Sequence, residues 1–535
     1  MRTARLWGPW AVTAIVLLIA AEARFVGLGH RSIWFDEAYS VYVARHTTKD
    51  ILVLLPYSDT HPPVYYALLG GWTRLFGSTE TAVRGLSALA SFLTVPVLYA
   101  FARQVAGGEV ALAAAALLAG SAFATVAGQE ARMYALMGLF VLLSWSALCL
   151  ALRNRKIWSW VAYVASSALM VHTHYLGFLV LGSQVLYVLP SVRGDRRTFV
   201  AAVLAWGGVA MLFLPWLPAF LTQVSSGRID PTFRKPAGVR GLFDLLAQFG
   251  FGGELLGTGG YHHGGVLPLW QEALVVLPVA ALLVAGAYRF RGRSAWCLVC
   301  YWAGPIVLAL LVSVQRNVFY ARYFSFLAPA FSVLLAAGIQ SVTSVVLTRV
   351  RQPAHVRSAA LATAVALIVL ANVPVANGYR YQRLGDYDWR GAAAVVSRAA
   401  GANDYLLFVP AFAHLPFEYY YKGRLDRYEL TPTEVYQYVR MAPAPKIDAA
   451  WVRQVAAAHP RLWIIATIPM TDTSLFRLEG LLKDSFTPGH VWDFNDVWVF
   501  SLTSRVYARE AGAQWPRKHG RQSTGDRDGS ARISP

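Results

Sequence analysis

Long apolar runs separated by short charged loops set the pattern of this chain. Stretches of about 17 to 25 residues, enough to cross a hydrocarbon core as helix, lie near 8–28, 81–102, 110–127, 134–152, 157–171, 176–192, 199–220, 266–287, 295–313, 324–346 and 358–377. They predict about eleven transmembrane helices. The run Pro62 to Trp72 is apolar too, but it is short and contains glycine, so it is expected to lie at the interface. After Tyr379 the period changes. Helix-like 389–400 and 451–458 alternate with strand-like 405–409, 462–468, 491–494 and 497–502, which predicts a small α/β domain from about 385 to 503. The stretch 504–535 is rich in Arg, Gly and Ser and nearly free of aliphatics, as a disordered basic tail is.

Composition agrees with a polytopic membrane protein: 56% of residues are hydrophobic, 14% are charged and the mean hydropathy is +0.43. A net charge of +19 raises the question of nucleic acid. The basic residues instead collect in alternate short loops: Arg2 with Arg5; Arg103; Arg153, Arg155 and Lys156; Arg193, Arg196 and Arg197; Arg289, Arg291 and Arg293; and Arg349, Arg351 and Arg357. Such loops stay cytoplasmic, so no nucleic-acid partner is expected. The N-terminus is then cytoplasmic in a plasma (inner) membrane protein. Loops 29–80, 128–133, 172–175, 221–265 and 315–323, and everything after 377, face outward. Crossing by Pro62 to Trp72 would reverse this pattern. Arg2, Arg5, the apolar run Trp10 to Ala20 and the triplet Ala21-Glu22-Ala23 imitate a cleavable signal, but apolar character continues to Leu28, which favours an uncleaved first helix. Cys149, Cys297 and Cys300 sit inside apolar runs without a second pair or a histidine partner, so neither zinc, disulfide nor redox work is expected.

The chemically suggestive residues fall on the outer side. Asp36 and Glu37 stand among aromatic residues just after the first apolar run, where carboxylates are costly without a task. They read either as a catalytic base with a neighbour or as acids capping a short helix. His61 precedes Pro62-Pro63, which presents it at a helix N-terminus suited to phosphate or carboxylate, or leaves it a surface histidine in an ordinary turn. Glu130 and Arg132 pair with each other or point a carboxylate and a cation at a cavity. His172 and His174, one residue apart, share no helical face, which argues against a helical metal site. They hydrogen-bond a sugar or phosphate, or belong to the interfacial belt. Arg316 and Arg322 break the positive-inside pattern, and an outer guanidinium beside a span suits a lipid phosphate. No glycine-rich phosphate loop is visible.

Phe35-Asp36-Glu37-Ala38, His61-Pro62-Pro63-Val64-Tyr65-Tyr66, Gln129-Glu130-Ala131-Arg132-Met133-Tyr134 and Tyr320-Ala321-Arg322-Tyr323 together resemble the bacterial members of glycosyltransferase family 39. This GT-C fold group includes protein O-mannosyltransferases and aminoarabinose transferases. The likeness covers about residues 1–380, a GT-C transmembrane catalytic domain. It implies a polyprenyl-phosphate-linked sugar donor, an inverting single displacement with Asp36 as general base, and Glu37 or Glu130 assisting. It further implies that Arg322 holds the lipid phosphate, and His61 matches the family's histidine-proline-proline pattern; with His61, the residues Arg132, Tyr134, His172, His174, Arg316 and Tyr323 are the candidates for binding substrate. The C-terminal domain departs from the β-trefoil of the eukaryotic mannosyltransferases. The acceptor is therefore left open as glycan, lipid or protein; no cofactor is expected, and the resemblance leaves room for a divalent cation without predicting one. A transporter or flippase of lipid-linked glycans, or a non-catalytic membrane scaffold, are the other function classes that the pattern allows.

Overall fold

The computed structural model describes residues 4–225, 239–251, 269–314, 318–381, 387–427, 447–467 and 478–510. In chain order its membrane region comprises α1 (Ala4–Phe25), α2 (Phe35–Ala44), α3 (Thr48–Ser58), α4 (Val64–Phe76), α5 (Glu80–Val105), α6 (Gly108–Ala119), α7 (Ala122–Gly128), α8 (Tyr134–Asn154), α9 (Ile157–Val171), α10 (Gly177–Ser191), α11 (Arg196–Phe213), α12 (Leu217–Ser225), α13 (Val239–Phe251), α14 (Leu269–Arg289), α15 (Gly292–Ser313), α16 (Ala328–Arg349) and α17 (Ala354–Tyr381).

Among the described residues six stretches are long and apolar enough to cross a membrane: α5, α8, Arg196–Ser225, α15, Ala321–Arg349 and α17. The pair α6 and α7, bent by 59° at its break, makes a seventh. The expectation of about eleven crossings exceeds this by four: α9 and α10 are apolar but short, while α1 and α14, at 22 and 21 residues, have the length to cross. Fifteen residues of helix, as in α9 and α10, rise only about 22 Å. The 13-residue α4 covers the expected interfacial run and is too short to cross.

Buried polar contacts explain the break after α6. Arg24 of α1 donates to the carbonyls of Leu118 (2.7 Å) and Ala119, the last of α6, and its Nε reaches Ser91 Oγ at 3.2 Å. Carbonyls that lose their helical partner thereby keep a donor. Ser121 Oγ accepts from Ala124 N at 3.3 Å and starts α7. Elsewhere α14 and α16 cross with backbone almost touching. A Cβ on Gly286 would stand 2.0 Å from Leu334 O, and one on Gly338 1.9 Å from Leu282 O. Only glycine permits that approach.

Beyond the membrane region, α18 (Trp389–Ala399), α19 (His414–Tyr420), α20 (Ala449–Ala458) and α21 (Arg505–Glu510) surround strands β1 (Tyr405–Val409), β2 (Asp426–Arg427), β3 (Arg461–Thr467), β4 (Phe486–Asp493) and β5 (Val497–Ser504). The sheet order is β2-β1-β3-β5-β4, with β1 parallel to β2 and β3 and the remaining pairs antiparallel. Continuous apolar β1 and β3 lie at the centre with both faces covered. Trp389, Phe408, Phe417 and Trp463 fill one side, and Leu407, Val452, Leu462 and Phe486 the other. β4 begins five residues before its expected start and carries a register shift between Pro488 and Val491. Of the expected tail, 505–510 is helical and 511–535 lies outside the described residues.

Candidate active site

The site forms where the N-terminus of α2 meets the turn between α7 and α8. Trp34 is extended (φ −95°, ψ 175°) and α2 begins at the next residue, so Asp36 and Glu37 occupy its first turn. Successive helical residues diverge by about 100°, and the two acids separate accordingly. Glu37 turns inward and is fully buried. Arg84 of α5 donates to both its oxygens, Ala131 N donates at 2.8 Å and Trp34 N at 3.4 Å. Burial alone pushes this carboxyl up, but the charge and hydrogen bonds of Arg84 more than offset that and hold it below its usual range.

Asp36 turns the other way. Its side chain is 29% exposed, against 0% for Glu37, 8% for Glu130 and 11% for Asp59, so it is the acid of this group that solvent reaches. Arg132 lies beside it, with Nε 3.9 Å from Asp36 Oδ2 and Nη1 donating to Asp36 O (3.2 Å) and Ser40 Oγ (3.3 Å). Burial disfavours the charge of Arg132, but Asp36 and its neighbours outweigh this and raise it.

Arg322 enters from the segment before α16. Its Nη2 is 2.5 Å from Glu130 Oε2, and its guanidinium lies over the rings of Trp34 (5.0 Å) and Tyr134 (5.3 Å). Glu130 also accepts from Tyr379 Oη at 3.2 Å, and Arg31 donates to that tyrosine oxygen. Tyr134 stacks on Tyr323 at 5.7 Å, Tyr323 lies 5.5 Å from His174, and His174 lies 5.2 Å from His61. One aromatic wall thus runs from Arg322 to His61.

The structure therefore brings together Asp36, Glu130, Arg132, Tyr134, His61, His174, Arg322 and Tyr323, with Glu37 behind them. Glu130 pairs with Arg322 across 192 residues; between it and its neighbour Arg132 runs only a backbone bond, Arg132 N to Glu130 O at 2.8 Å. His172 packs elsewhere: its ring rests on Phe213 at 5.2 Å, Nδ1 meets Ala168 O at 2.8 Å, and its carbonyl accepts from Val64 N. Arg316 lies outside the described residues. Sequence reasoning missed Arg84, Asp59, Tyr66, Trp34 and Tyr379. Arg84, a charge inside an apolar run, offered a signal; Tyr379 offered none. Among the described residues no three His, Cys, Asp or Glu gather as a metal site would.

The C-terminal domain closes on the loop before α2. Tyr420 Oη accepts from Ile33 N at 2.7 Å, Phe412 lies 4.7 Å from Phe35, and Arg390 Nη2 donates to Gly29 O at 3.0 Å and to Glu80 at 2.7 Å.

Residues 60–220 match the family of dolichyl-phosphate-mannose-protein mannosyltransferases. Among curated proteins no significant match is found. ArnT from Cupriavidus metallidurans, solved with undecaprenyl phosphate bound, superposes with a TM-score of 0.61 over 91% of this chain and 97% of its own, at 14% identity. The Archaeoglobus fulgidus oligosaccharyltransferase gives 0.57 over 92% and 74%, also at 14%. The mycobacterial arabinofuranosyltransferase AftD gives 0.51 over 93% and 41%, at 15%. The chain has the fold of these membrane glycosyltransferases, the GT-C architecture.

Proposed function

We propose that the protein is a membrane glycosyltransferase that moves a sugar from a polyprenyl-phosphate donor to an acceptor hydroxyl at the outer face of the membrane. The single observation that carries this reading is the placement of an accessible carboxylate, Asp36, in one cluster with Arg322. In the reaction the acceptor oxygen attacks the anomeric carbon, the bond from that carbon to the phosphate oxygen breaks, and Asp36 takes the hydroxyl proton. The anomeric configuration inverts. Arg322 meets the charge that the departing polyprenyl phosphate keeps, and Glu130 with Tyr379 holds Arg322 in place. Arg132 orients Asp36, while Tyr134, Tyr323, His61 and His174 line the substrate path. Glu37, whose oxygens are already engaged, holds the base-bearing turn rather than exchanging protons, and His172 supports α4 from behind. In this reading α1 and the shorter apolar helices complete about eleven crossings with the N-terminus cytoplasmic, and residues 387–510 stand outside the membrane.

Asp36→Asn tests it. The exchange removes the charge at nearly constant volume, so transfer should fall by roughly 10² to 10⁴ while polyprenyl-phosphate binding is kept. Undiminished transfer would falsify the assignment of the base.

A further inference from the structure

Asp59 is a buried carboxylate that the reaction above does not use. It closes α3, and three donors converge on it: His61 Nδ1 at 2.9 Å, Thr60 N at 2.6 Å and the Tyr66 hydroxyl. Burial pushes its carboxyl up, but His61, Arg132 and Tyr66 pull it below the usual range. A carboxylate only accepts, so the hydrogen between the two side chains belongs to Nδ1 of His61. In the neutral ring the other nitrogen, Nε2, then carries a lone pair.

The place of this ring in the site gives the lone pair a task. His61 ends the aromatic wall whose other end is Arg322. With the donor phosphate at Arg322, the acceptor has the His61 end. Arg132, between them, feels the charges of both Asp36 and Asp59.

We propose that Asp59 is a positioning residue that fixes the hydrogen of His61 on Nδ1, so that Nε2 accepts a hydrogen bond from a hydroxyl of the acceptor. The acceptor class that this selects is polyhydroxylated: one hydroxyl on Nε2 orients the molecule while a second faces Asp36. The assignment to an acceptor rests on the transferase reading; the tautomer does not.

Two measurements on the full chain in detergent test it. Nitrogen-15 NMR of histidine-labelled protein, with His61→Gln to assign the ring, should show the His61 hydrogen on Nδ1 near neutral pH. Asp59→Ala, which takes the acceptor away, should release it to the Nε2-weighted mixture of a free imidazole; asparagine would not serve, because its oxygen would stay opposite Thr60 N and still accept from Nδ1. A hydrogen on Nε2 in the unaltered protein, or no change in Asp59→Ala, overturns the pair. In transfer assays with synthetic polyprenyl-phosphate sugars and octyl glycosides as acceptors, Asp59→Ala should raise the acceptor KM about tenfold, the worth of one hydrogen bond, and leave the donor KM alone. The double variant with His61→Gln should lose no more than His61→Gln itself. Additive losses, or a raised donor KM, would mean a merely structural role. Inactivity of the unaltered protein with every donor sinks the transferase reading and the acceptor role with it, whatever tautomer is found.

Discussion

Arg84 meets Glu37 through two parallel hydrogen bonds, Nε to Oε1 and Nη2 to Oε2, each 2.7 Å long. Both side chains are almost wholly buried, at 1% and 0% exposure. Arg84 also donates to the carbonyls of Leu28, Arg31 and Ser32, so a single guanidinium gathers the loop that leads to Asp36. Fork-to-fork pairing of this kind is stiff as well as strong.

Removing one partner of that pair strands the other. Arg84→Met should lower stability by about 3 to 5 kcal/mol, read as a drop in Tm in detergent. The pH dependence should change sign. Glu37 sits below its ordinary value, so in the unaltered protein its contribution is full above about pH 4.3 and is lost as pH falls through the folded value. Without Arg84 burial dominates and raises the carboxyl above its unfolded value, so that the variant loses stability as pH rises from about 4.3 through the raised value and regains it on return to acid. An Arg84→Met protein whose Tm tracks that of the unaltered protein at every pH would show that the pair does not hold the loop.

Arg322 makes a second prediction. Arg322→Ala should weaken binding of undecaprenyl phosphate by roughly 10- to 100-fold, the range for a charge-assisted hydrogen bond, and Arg322→Lys should recover part of it because a point charge lacks the fork. Glu130→Gln should cost less, since it loosens Arg322 without removing its charge. Unchanged lipid binding in Arg322→Ala would take the phosphate away from this residue.

What the sequence makes legible is the set of charges that stand where apolar runs end: Asp36, His61, Glu130, Arg132 and Arg322 are conspicuous because each is costly at a membrane boundary unless engaged. Which of them face each other is not legible. Glu130 reads equally well as the partner of its neighbour Arg132, yet it meets Arg322, 192 positions away. Asp36 and Glu37 look alike as a dipeptide, and only the turn of α2 sends one to the cluster and the other to Arg84. In the C-terminal domain the alternation of helix and strand runs is legible, because β1 and β3 are continuous apolar segments flanked by amphipathic helices. The two-residue β2 carries no pattern. The docking of Tyr420, in α19, against the loop at Ile33 spans 387 positions and has no local signal at all.

That docking carries a prediction of its own. Tyr420→Phe deletes the acceptor of the Ile33 N–H while keeping the ring. An amide that loses such a partner costs about 1 to 3 kcal/mol, so hydrogen exchange at Ile33 should quicken on the order of tenfold or more. Sugar transfer should fall while undecaprenyl-phosphate binding stays, because the loop before Asp36 loosens and Arg322 does not. Exchange and transfer both at the unaltered rate would show that the C-terminal domain rests on the loop without bracing it.

The crossing of α14 and α16 offers a test of packing that is independent of the chemistry. Gly338→Ala sets a methyl carbon 1.9 Å from Leu282 O, a backbone atom that cannot swing aside, so the helices must part along their contact. Overpacking costs of 1 to 3 kcal/mol are typical where side chains give way; here about 3 kcal/mol or more is expected, with a lower Tm and a poorer yield of folded protein. Gly71→Ala is the control. Nothing lies within 4 Å of a Cβ there, and alanine in a helix is favoured over glycine by about 0.5 to 1 kcal/mol, so its Tm should hold or rise. If Gly338→Ala also held its Tm, the two helices would be farther apart than these backbones lie.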